Sequence, residues 1–190
     1  MIDVNKVLDI LNKGGIVVFP TDTAYGIGCR IDNEPAIKKL FQIRKRPVTQ
    51  AAPVMVSSIQ MAQRYLQPII SEVKQLMRKY WPGALTIIYP CIEQKIPSFV
   101  RGGSAALGVR IPANHSLLSI IEQLDCPILG PSANFHADFT PYKFNEINKD
   151  LLKLVDYAIN DDSEIKGGIS TVLDCTVKPF KIIRQGNIKI

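Results

Sequence analysis

The chain reads as an α/β fold with a mixed sheet, on three observations. Short apolar runs such as Val17-Val18-Phe19 and Leu85-Thr86-Ile87-Ile88-Tyr89 are bounded by proline or glycine and have the length of buried strands. Between them lie segments with apolar residues at helical spacing. The connections are long enough for crossovers, so parallel and antiparallel pairing are both expected. No repeat, low-complexity tract or long linker interrupts the 190 residues, and 1–190 reads as one domain.

The elements follow in order. Residues 4–13 form a helix: Val4, Val7, Leu8 and Leu11 share a face, Asp3 is placed to cap it, and Gly14-Gly15 stops it. A strand over 16–19 ends at Pro20, which has no N–H to give a sheet. Asn33 caps a helix over 34–44, with Pro35 in its first turn. A short strand covers 54–56. Helices cover 58–66 and 71–80, the second capped by Ser71, and Trp81-Pro82-Gly83 turns into a strand over 85–89. A strand over 106–111, a helix over 116–124 and a short strand over 128–129 lead into Gly130-Pro131-Ser132-Ala133-Asn134. A helix over 144–153 and strands over 155–159, 171–175 and 180–184 complete the pattern.

Composition narrows the partners. The apolar fraction of 46% supports a real core. The net charge of +6 suits an anionic ligand such as a nucleotide or RNA, and equally plain solubility, since Arg44-Lys45-Arg46 is the one basic run. No stretch of about 18 apolar residues exists, and the first fifteen residues resemble an amphipathic helix rather than a signal peptide. The expectation is a cytoplasmic protein with no membrane partner. Cys29, Cys91, Cys126 and Cys175 are far apart and form no CxxC pair, which argues against zinc and for a reducing compartment. His115 and His136 are too few for a histidine-based metal site and read as solvent-facing.

Several segments could carry chemistry. Thr21, Asp22, Thr23 and Tyr25 follow the first strand, where hydroxyls can bind a small polar ligand and Tyr25 can supply a wall or stacking face. Gly26 and Gly28 permit close approaches. Arg44-Lys45-Arg46-Pro47 ends a helix, where cations complement the helix dipole. It could also clamp phosphate, but Arg44 and Arg46 converge only if the helix stops there, which Pro47 encourages. Arg110, beside Pro112 at a strand end, offers a fork donor at a rim that matches a carboxylate or phosphate. Ser132 and Asn134 are two apart in an extended segment and point the same way. Ser170 and Arg184 each offer a polar group beside a late strand.

Taken in order, Phe19–Cys29, Arg44–Pro47, WPGALT (81–86), GVRIP (108–112), PSAN (131–134), STVLD (170–174) and RQG (184–186) resemble the TsaC/YrdC family, the L-threonylcarbamoyladenylate synthases. The resemblance runs from residue 19 to residue 186 and looks like the short form, without the extra C-terminal domain of some relatives. It implies a twisted mixed sheet with flanking helices around a basic concave cleft. It implies that L-threonine, bicarbonate and ATP, with Mg2+ arriving on the ATP, give threonylcarbamoyl-AMP and pyrophosphate. Separate transferase proteins would then modify adenosine-37 of tRNA, and direct tRNA contact is part of the picture. By resemblance, Thr21, Thr23, Tyr25, Arg110, Ser132 and Ser170 serve threonine. Arg44, Arg46, Asn134 and Arg184 serve ATP, with Arg44, Arg46, Ser132 and Asn134 as the catalytic group. Asp22 is at most an outer-shell contact to the metal.

The chain departs from the family where the lysine of K-x-R is Arg44, with Lys45 as a substitute cation, and where His136-Ala137 follow the SAN segment. Two rivals remain: a non-catalytic module binding double-stranded RNA or tRNA, and a carbamoyl-adenylate enzyme of hydrogenase maturation, which belongs to much longer chains. A branch of uncertain activity lacks the SAN motif, which is intact here.

Overall fold

The computed structural model describes residues 2–47 and 49–190. Helix α1 (Val4–Asn12) is capped by the Asp3 carboxylate, which accepts from Lys6 N at 3.0 Å, and buries Val7 and Leu11. Strands β1 (Val17–Pro20) and β2 (Tyr25–Gly28) form a tight antiparallel hairpin, with Pro20 opposite Tyr25. The sequence reading had no β2, because two glycines in four residues weaken any strand signal. The glycines are there for packing. A Cβ on Gly26 would lie 2.6 Å from the Phe19 ring, and one on Gly28 would lie 1.9 Å from the Leu129 carbonyl oxygen.

Helix α2 (Glu34–Ile43) has the Asn33 cap and Pro35 near its start, and buries Ala36, Ile37, Leu40 and Phe41. Strand β3 (Val54–Met55) and helices α3 (Ile59–Gln63) and α4 (Ser71–Tyr80) follow. Helix α3 is shorter than expected at both ends, since Ser58 caps it and Arg64 closes it. Ser71 does not cap α4: it is the first helical residue, Ile70 holds the cap position, and no side chain caps the helix. Strands β4 (Leu85–Pro90) and β5 (Ala106–Arg110), helix α5 (His115–Leu124) and strand β6 (Ile128–Leu129) come next. The helix expected over 144–153 breaks into a 3-10 turn at Phe144–Glu146 and a short α6 (Lys149–Leu152), with Asn148 capping the latter. Asn148 there accepts from Asp150 N and competes with a continuous helix. Strands β7 (Tyr157–Ala158), β8 (Thr171–Asp174) and β9 (Lys181–Arg184) end the chain, with β7 shorter than the expected 155–159.

The strands form two sheets, one ordered β2-β1-β7 and one ordered β6-β3-β5-β4-β8-β9, both mixing parallel and antiparallel pairs. The bridges Gly26↔Ser132 and Arg30↔Ile128 stitch them together. One apolar cluster runs from Val7 through to Cys175 and includes Phe19 and Tyr25, the two largest fully buried side chains. Truncating Phe19 to alanine would cost about 3–5 kcal/mol. This rigid seam between the sheets is where the polar residues of the hairpin turn, the 131–134 segment and the late strands converge. No helix among the described residues is long and apolar enough to cross a membrane.

Candidate active site

The hairpin turn comes first. Thr21 N donates to Ala24 O at 3.1 Å, and Thr21 Oγ1 accepts from Thr23 N and Ala24 N, both at 3.1 Å. These bonds close the turn between β1 and β2 and bury Thr21, Asp22 and Thr23. Alongside it, Ile27 N donates to Pro131 O and Ala133 N to Tyr25 O, so the 131–133 segment runs as a partner to β2 and is held there by backbone bonds. The Trp81–Thr86 segment closes the floor: Trp81 Nε1 donates to Leu85 O at 2.7 Å and Gly83 N to Ile111 O at 2.8 Å. A Cβ on Gly186 would lie 2.2 Å from Ile169 O, so the turn after β9 hugs the segment that carries Ser170.

These elements enclose a cleft of about 180 Å³. That is smaller than the roughly 300–1,000 Å³ of sites for drug-sized ligands, so a molecule of amino-acid size fits inside and a larger one extends through the open side. The cleft is lined by Thr21, Thr23, Tyr25, Ser132 and Ser170, by Arg44, Arg46, Arg110 and Arg184, and by no carboxylate. Nine of the ten site residues expected from sequence therefore meet in one place. The tenth, Asn134, sits one layer back: its Oδ1 accepts from Arg44 Nη2 at 2.8 Å and Ser132 Oγ at 2.7 Å, and its Nδ2 donates to Asp138 O at 2.6 Å. Ser132 and Asn134 do point the same way, and the bond between them follows from that.

The end of α2 explains how Arg44 and Arg46 meet. Lys45 adopts a left-handed φ of 52°, Arg46 N donates to Phe41 O and Lys45 N to Gln42 O, which terminates the helix in one residue. Glycine is the usual occupant of that position, and a lysine there costs about 1 kcal/mol. The turn throws Arg44 and Arg46 into the cleft and turns Lys45 outward, its Nζ 5.1 Å from the centre of the Phe135 ring. Lys45, the candidate substitute for the family lysine, therefore does not line the cleft.

Arg44 is 2% exposed. Its Nε donates to Asn134 O at 3.0 Å and its Nη2 to Asn134 Oδ1, while Nη1 is buried with no partner among the described residues. Burial, and secondarily the nearby Arg46, pull this guanidinium down to about 10. Burial also lowers Arg46 and Arg184. Arg46 is held by the carbonyls of Gln50 and Ala51. Arg184 donates to Ser170 O and, at 2.9 Å, to Ser170 Oγ, which also accepts from Thr86 Oγ1 at 2.9 Å. Four arginines thus gather at the cleft with their donors incompletely satisfied among the described residues, an arrangement chemically suited to an anion.

Two expectations change. Arg110 is not at a rim. It is 3% exposed, with Nε donating to Gly83 O at 2.9 Å, Nη1 to Thr23 Oγ1 at 3.0 Å and Nη2 to Asp22 Oδ1 at 2.6 Å. The WPGALT loop packs over the strand end and encloses it. Tyr25 offers no stacking face. It is fully buried and its hydroxyl donates to Asp162 at 2.6 Å; burial first, and then that bond, push its pKa up. Sequence reasoning assigned no role to Thr86 or Thr140, which also line the cleft; Thr86 lies in a quoted motif, and Thr140 in a loop with no local signal. His115 is exposed and meets Glu164, and His136 Nε2 lies 3.5 Å from Gln50 Nε2. No thiol is poised as a nucleophile: all four cysteines are buried and unpaired, and burial pushes Cys29 and Cys175 up to about 12 and Cys126 up to about 11.

Comparison with known proteins places this geometry. Threonylcarbamoyl-AMP synthase of Pyrococcus abyssi is 31% identical over 181 residues, 95% of this chain and 53% of the relative. The enzyme of the same name from Bacillus subtilis is 31% identical over 94% of this chain and 52% of its own length. The chain thus spans about half the length of these curated relatives. In structure, P. abyssi Sua5 complexed with L-threonine superposes with a TM-score of 0.91 at 30% identity, covering 96% of this chain and 54% of that one. Escherichia coli YciO superposes at 0.86 and 27% identity, covering 96% and 88%. The family model Sua5_yciO_yrdC, described as telomere recombination, matches residues 9–186. With that match across the hairpin, the arginine turn and both late strands, the chain belongs to the Sua5/YciO/YrdC family.

Proposed function

We propose that this chain makes threonylcarbamoyl-AMP and pyrophosphate from L-threonine, bicarbonate or CO2, and ATP. One observation carries the reading: Arg44, almost wholly buried, lines a cleft with three further arginines, the hydroxyls of Thr21, Thr23, Thr86, Ser132, Thr140 and Ser170 and no carboxylate, and its Nη1 has no partner among the described residues. A site so built binds an anion beside a small polar molecule. The names of the curated relatives and the L-threonine bound to P. abyssi Sua5 support the choice of both.

The chemistry needs no side-chain nucleophile. The threonine amine adds to CO2 and loses a proton, giving a carbamate. A carbamate oxygen attacks the α-phosphorus of ATP, a P–O bond forms, the bond to the β-phosphate oxygen breaks, and pyrophosphate leaves with its electron pair. Positioning and neutralisation of the phosphate charge supply the catalysis. Arg44, Arg46 and Arg184 are the neutralising groups, and the enclosed end of the cleft takes the amino acid while the nucleotide extends outward. Mg2+ fits this site as a passenger on ATP: the described residues contain no cluster of three His, Cys, Asp or Glu, and the cleft offers hydroxyls and guanidinium groups. The ion would be held by phosphates and water.

The further proposals follow from the product. A mixed anhydride of this kind serves a group transfer, here to adenosine-37 of tRNA by separate transferase proteins, and direct tRNA contact is part of the same proposal. Residues 1–190 act as one domain, which the continuous apolar core supports, and the four free cysteines fit a cytoplasmic setting. The test is pyrophosphate release from ATP and Mg2+ with threonine and bicarbonate added singly and together. Release only with both is the expected result. Release with neither or with one alone removes the reading, and tRNA binding with steep salt dependence and no turnover would favour the RNA-binding module.

A further inference from the structure

The outermost strand of the six-stranded sheet is left uncovered. Strand β9 pairs with β8 alone, and all four of its residues are exposed. Four of the seven large apolar side chains exposed among the described residues lie on it, in the turn before it or at the chain end: Val177, Ile182, Ile183 and Ile190. Leu76 of α4, Leu173 of β8, Phe180, Ile182 and Ile190 line an open groove of about 480 Å³. Single apolar side chains on a surface need no explanation, but a continuous apolar groove beside a free strand edge does.

The rim of the groove is basic. Lys79 lines it, Lys178 holds its Nζ 4.3 Å from the centre of the Phe180 ring, and Lys181 and Lys189 adjoin Ile182 and Ile190 in the chain. The carboxylates here are engaged: Glu72 accepts from Lys178 at 3.0 Å, and Asp174 accepts from Thr176 N and Thr176 Oγ1. Phe180 and Ile182 are two apart and share the groove face, so a ligand that follows β9 meets the apolar floor at every second residue. That is the spacing of an extended peptide. A second copy of the strand is the wrong occupant. Antiparallel pairing of β9 with itself over its length sets Lys181 opposite Arg184, and like charges directly opposite repel. The register slip that leaves Ile183 without a partner on β8 also bends the edge away from flat self-pairing. RNA fits poorly too, since the floor is aliphatic apart from Phe180, whose ring already lies under Lys178, and offers no platform for stacked bases.

We propose that this face docks an extended acidic segment of a partner protein. The segment runs along β9, lays alternate apolar side chains in the groove and sets its carboxylates against Lys79, Lys178, Lys181 and Lys189. The apolar floor supplies the burial, and the lysines select an acidic strand while rejecting a basic one. The groove shares no lining residue with the cleft, so the inference stands apart from the proposed reaction.

The probe is a fluorescein-labelled, end-capped nonapeptide with leucine or valine at alternate positions and glutamate between, beside a twin with lysine for glutamate. Fluorescence anisotropy reads the binding and hydrogen exchange reads its place. The acidic peptide binds wild type saturably, more weakly as salt rises, and slows exchange of the 180–184 amides, while the basic twin binds at least about tenfold more weakly. Ile182→Glu puts a carboxylate in the groove and weakens the acidic peptide by about tenfold or more, with the melting temperature kept. If Ile182→Glu does not fold, Lys79→Glu together with Lys181→Glu changes exposed charges alone, and the same loss is expected. No binding of the acidic peptide to wild type, equal binding of the twins, or binding that leaves 180–184 unprotected overturns the inference. Sedimentation showing wild-type dimers that Ile182→Glu splits would give the face to a second copy. Displacement of the acidic peptide by a short single-stranded RNA would give it to RNA. Either result also overturns the inference.

Discussion

Two buried arginines, Arg44 and Arg101, separate the cleft from the scaffold. Arg101 is 6% exposed in the turn before β5, where its Nε donates to Ile96 O, its Nη1 to Ser104 O, and Glu93 pairs with it at 3.1 Å. It folds its donors onto its own neighbourhood and closes a loop. Arg44 is buried as deeply, yet its Nη1 has no partner among the described residues, another cation lies nearby, and the side chain lines the cleft. The chemistry of the two side chains is identical. What differs is whether the donors are consumed in building the fold or left over beside the cleft. An unconsumed buried donor costs stability until something binds it.

Substitution by methionine, which keeps volume but removes charge, sharpens that difference most. Arg44→Met loses pyrophosphate release by about 10²–10³-fold, the usual loss for a preorganised donor to developing charge, while its melting temperature holds or rises. Arg46→Ala behaves the same way, with the fold retained, and full activity in either would break the phosphate assignment. A ligand measurement comes next. Pyrophosphate at 100 times its Kd stabilises wild type by about 2.7 kcal/mol in thermal unfolding, and this stabilisation disappears in Arg44→Met. The sign with pH follows from the Arg44 guanidinium, which burial brings down to about 10. Below that pH it is charged at a cost to the empty protein, and an anion relieves the cost. The part of the pyrophosphate effect that Arg44 supplies therefore falls as pH rises through about 10; an effect that persists unchanged above it would show that Arg44 does not carry the binding.

Arg101→Met gives the opposite pattern. Urea denaturation should show a loss of about 1.5–3 kcal/mol, with kcat per folded molecule and the pyrophosphate effect both preserved. If Arg101→Met instead lost turnover at full stability, the division between scaffold and ligand arginines would be wrong. The smallest effect concerns the shell behind Arg44. Ser132→Ala or Asn134→Ala loosens Arg44 without removing it and raises the KM for ATP roughly tenfold. An unchanged ATP titration in both variants would confine the function to the guanidinium itself.

Legibility in the sequence followed the physics of each signal. Capped amphipathic helices such as α1 and α2 could be read because cap and periodicity are local and reinforce each other. Strand β2 could not, since Gly26 and Gly28 answer to Phe19 and Leu129, contacts that lie across the fold. The helix over 144–153 misread for a related reason: Asn148 competes for the backbone, and periodicity alone does not register that competition.

The site divides in the same way. Residue types and motif order alone determined the family resemblance and nine of the ten side chains that gather at the cleft, because hydroxyls, arginines and small residues at fixed spacings are written locally. Orientation and satisfaction were left to the tertiary structure. Whether Arg110 reaches a rim or pairs with Asp22 depends on how the 81–86 loop packs over β5. Whether Tyr25 stacks on a ligand or bonds Asp162 depends on a segment 137 residues away. Whether Arg44 and Arg46 converge depends on one left-handed residue at Lys45. Donor counts are set by residue identity, but their remaining capacity is set by every neighbour the fold brings near, and only the folded chain decides which donors are left over for chemistry.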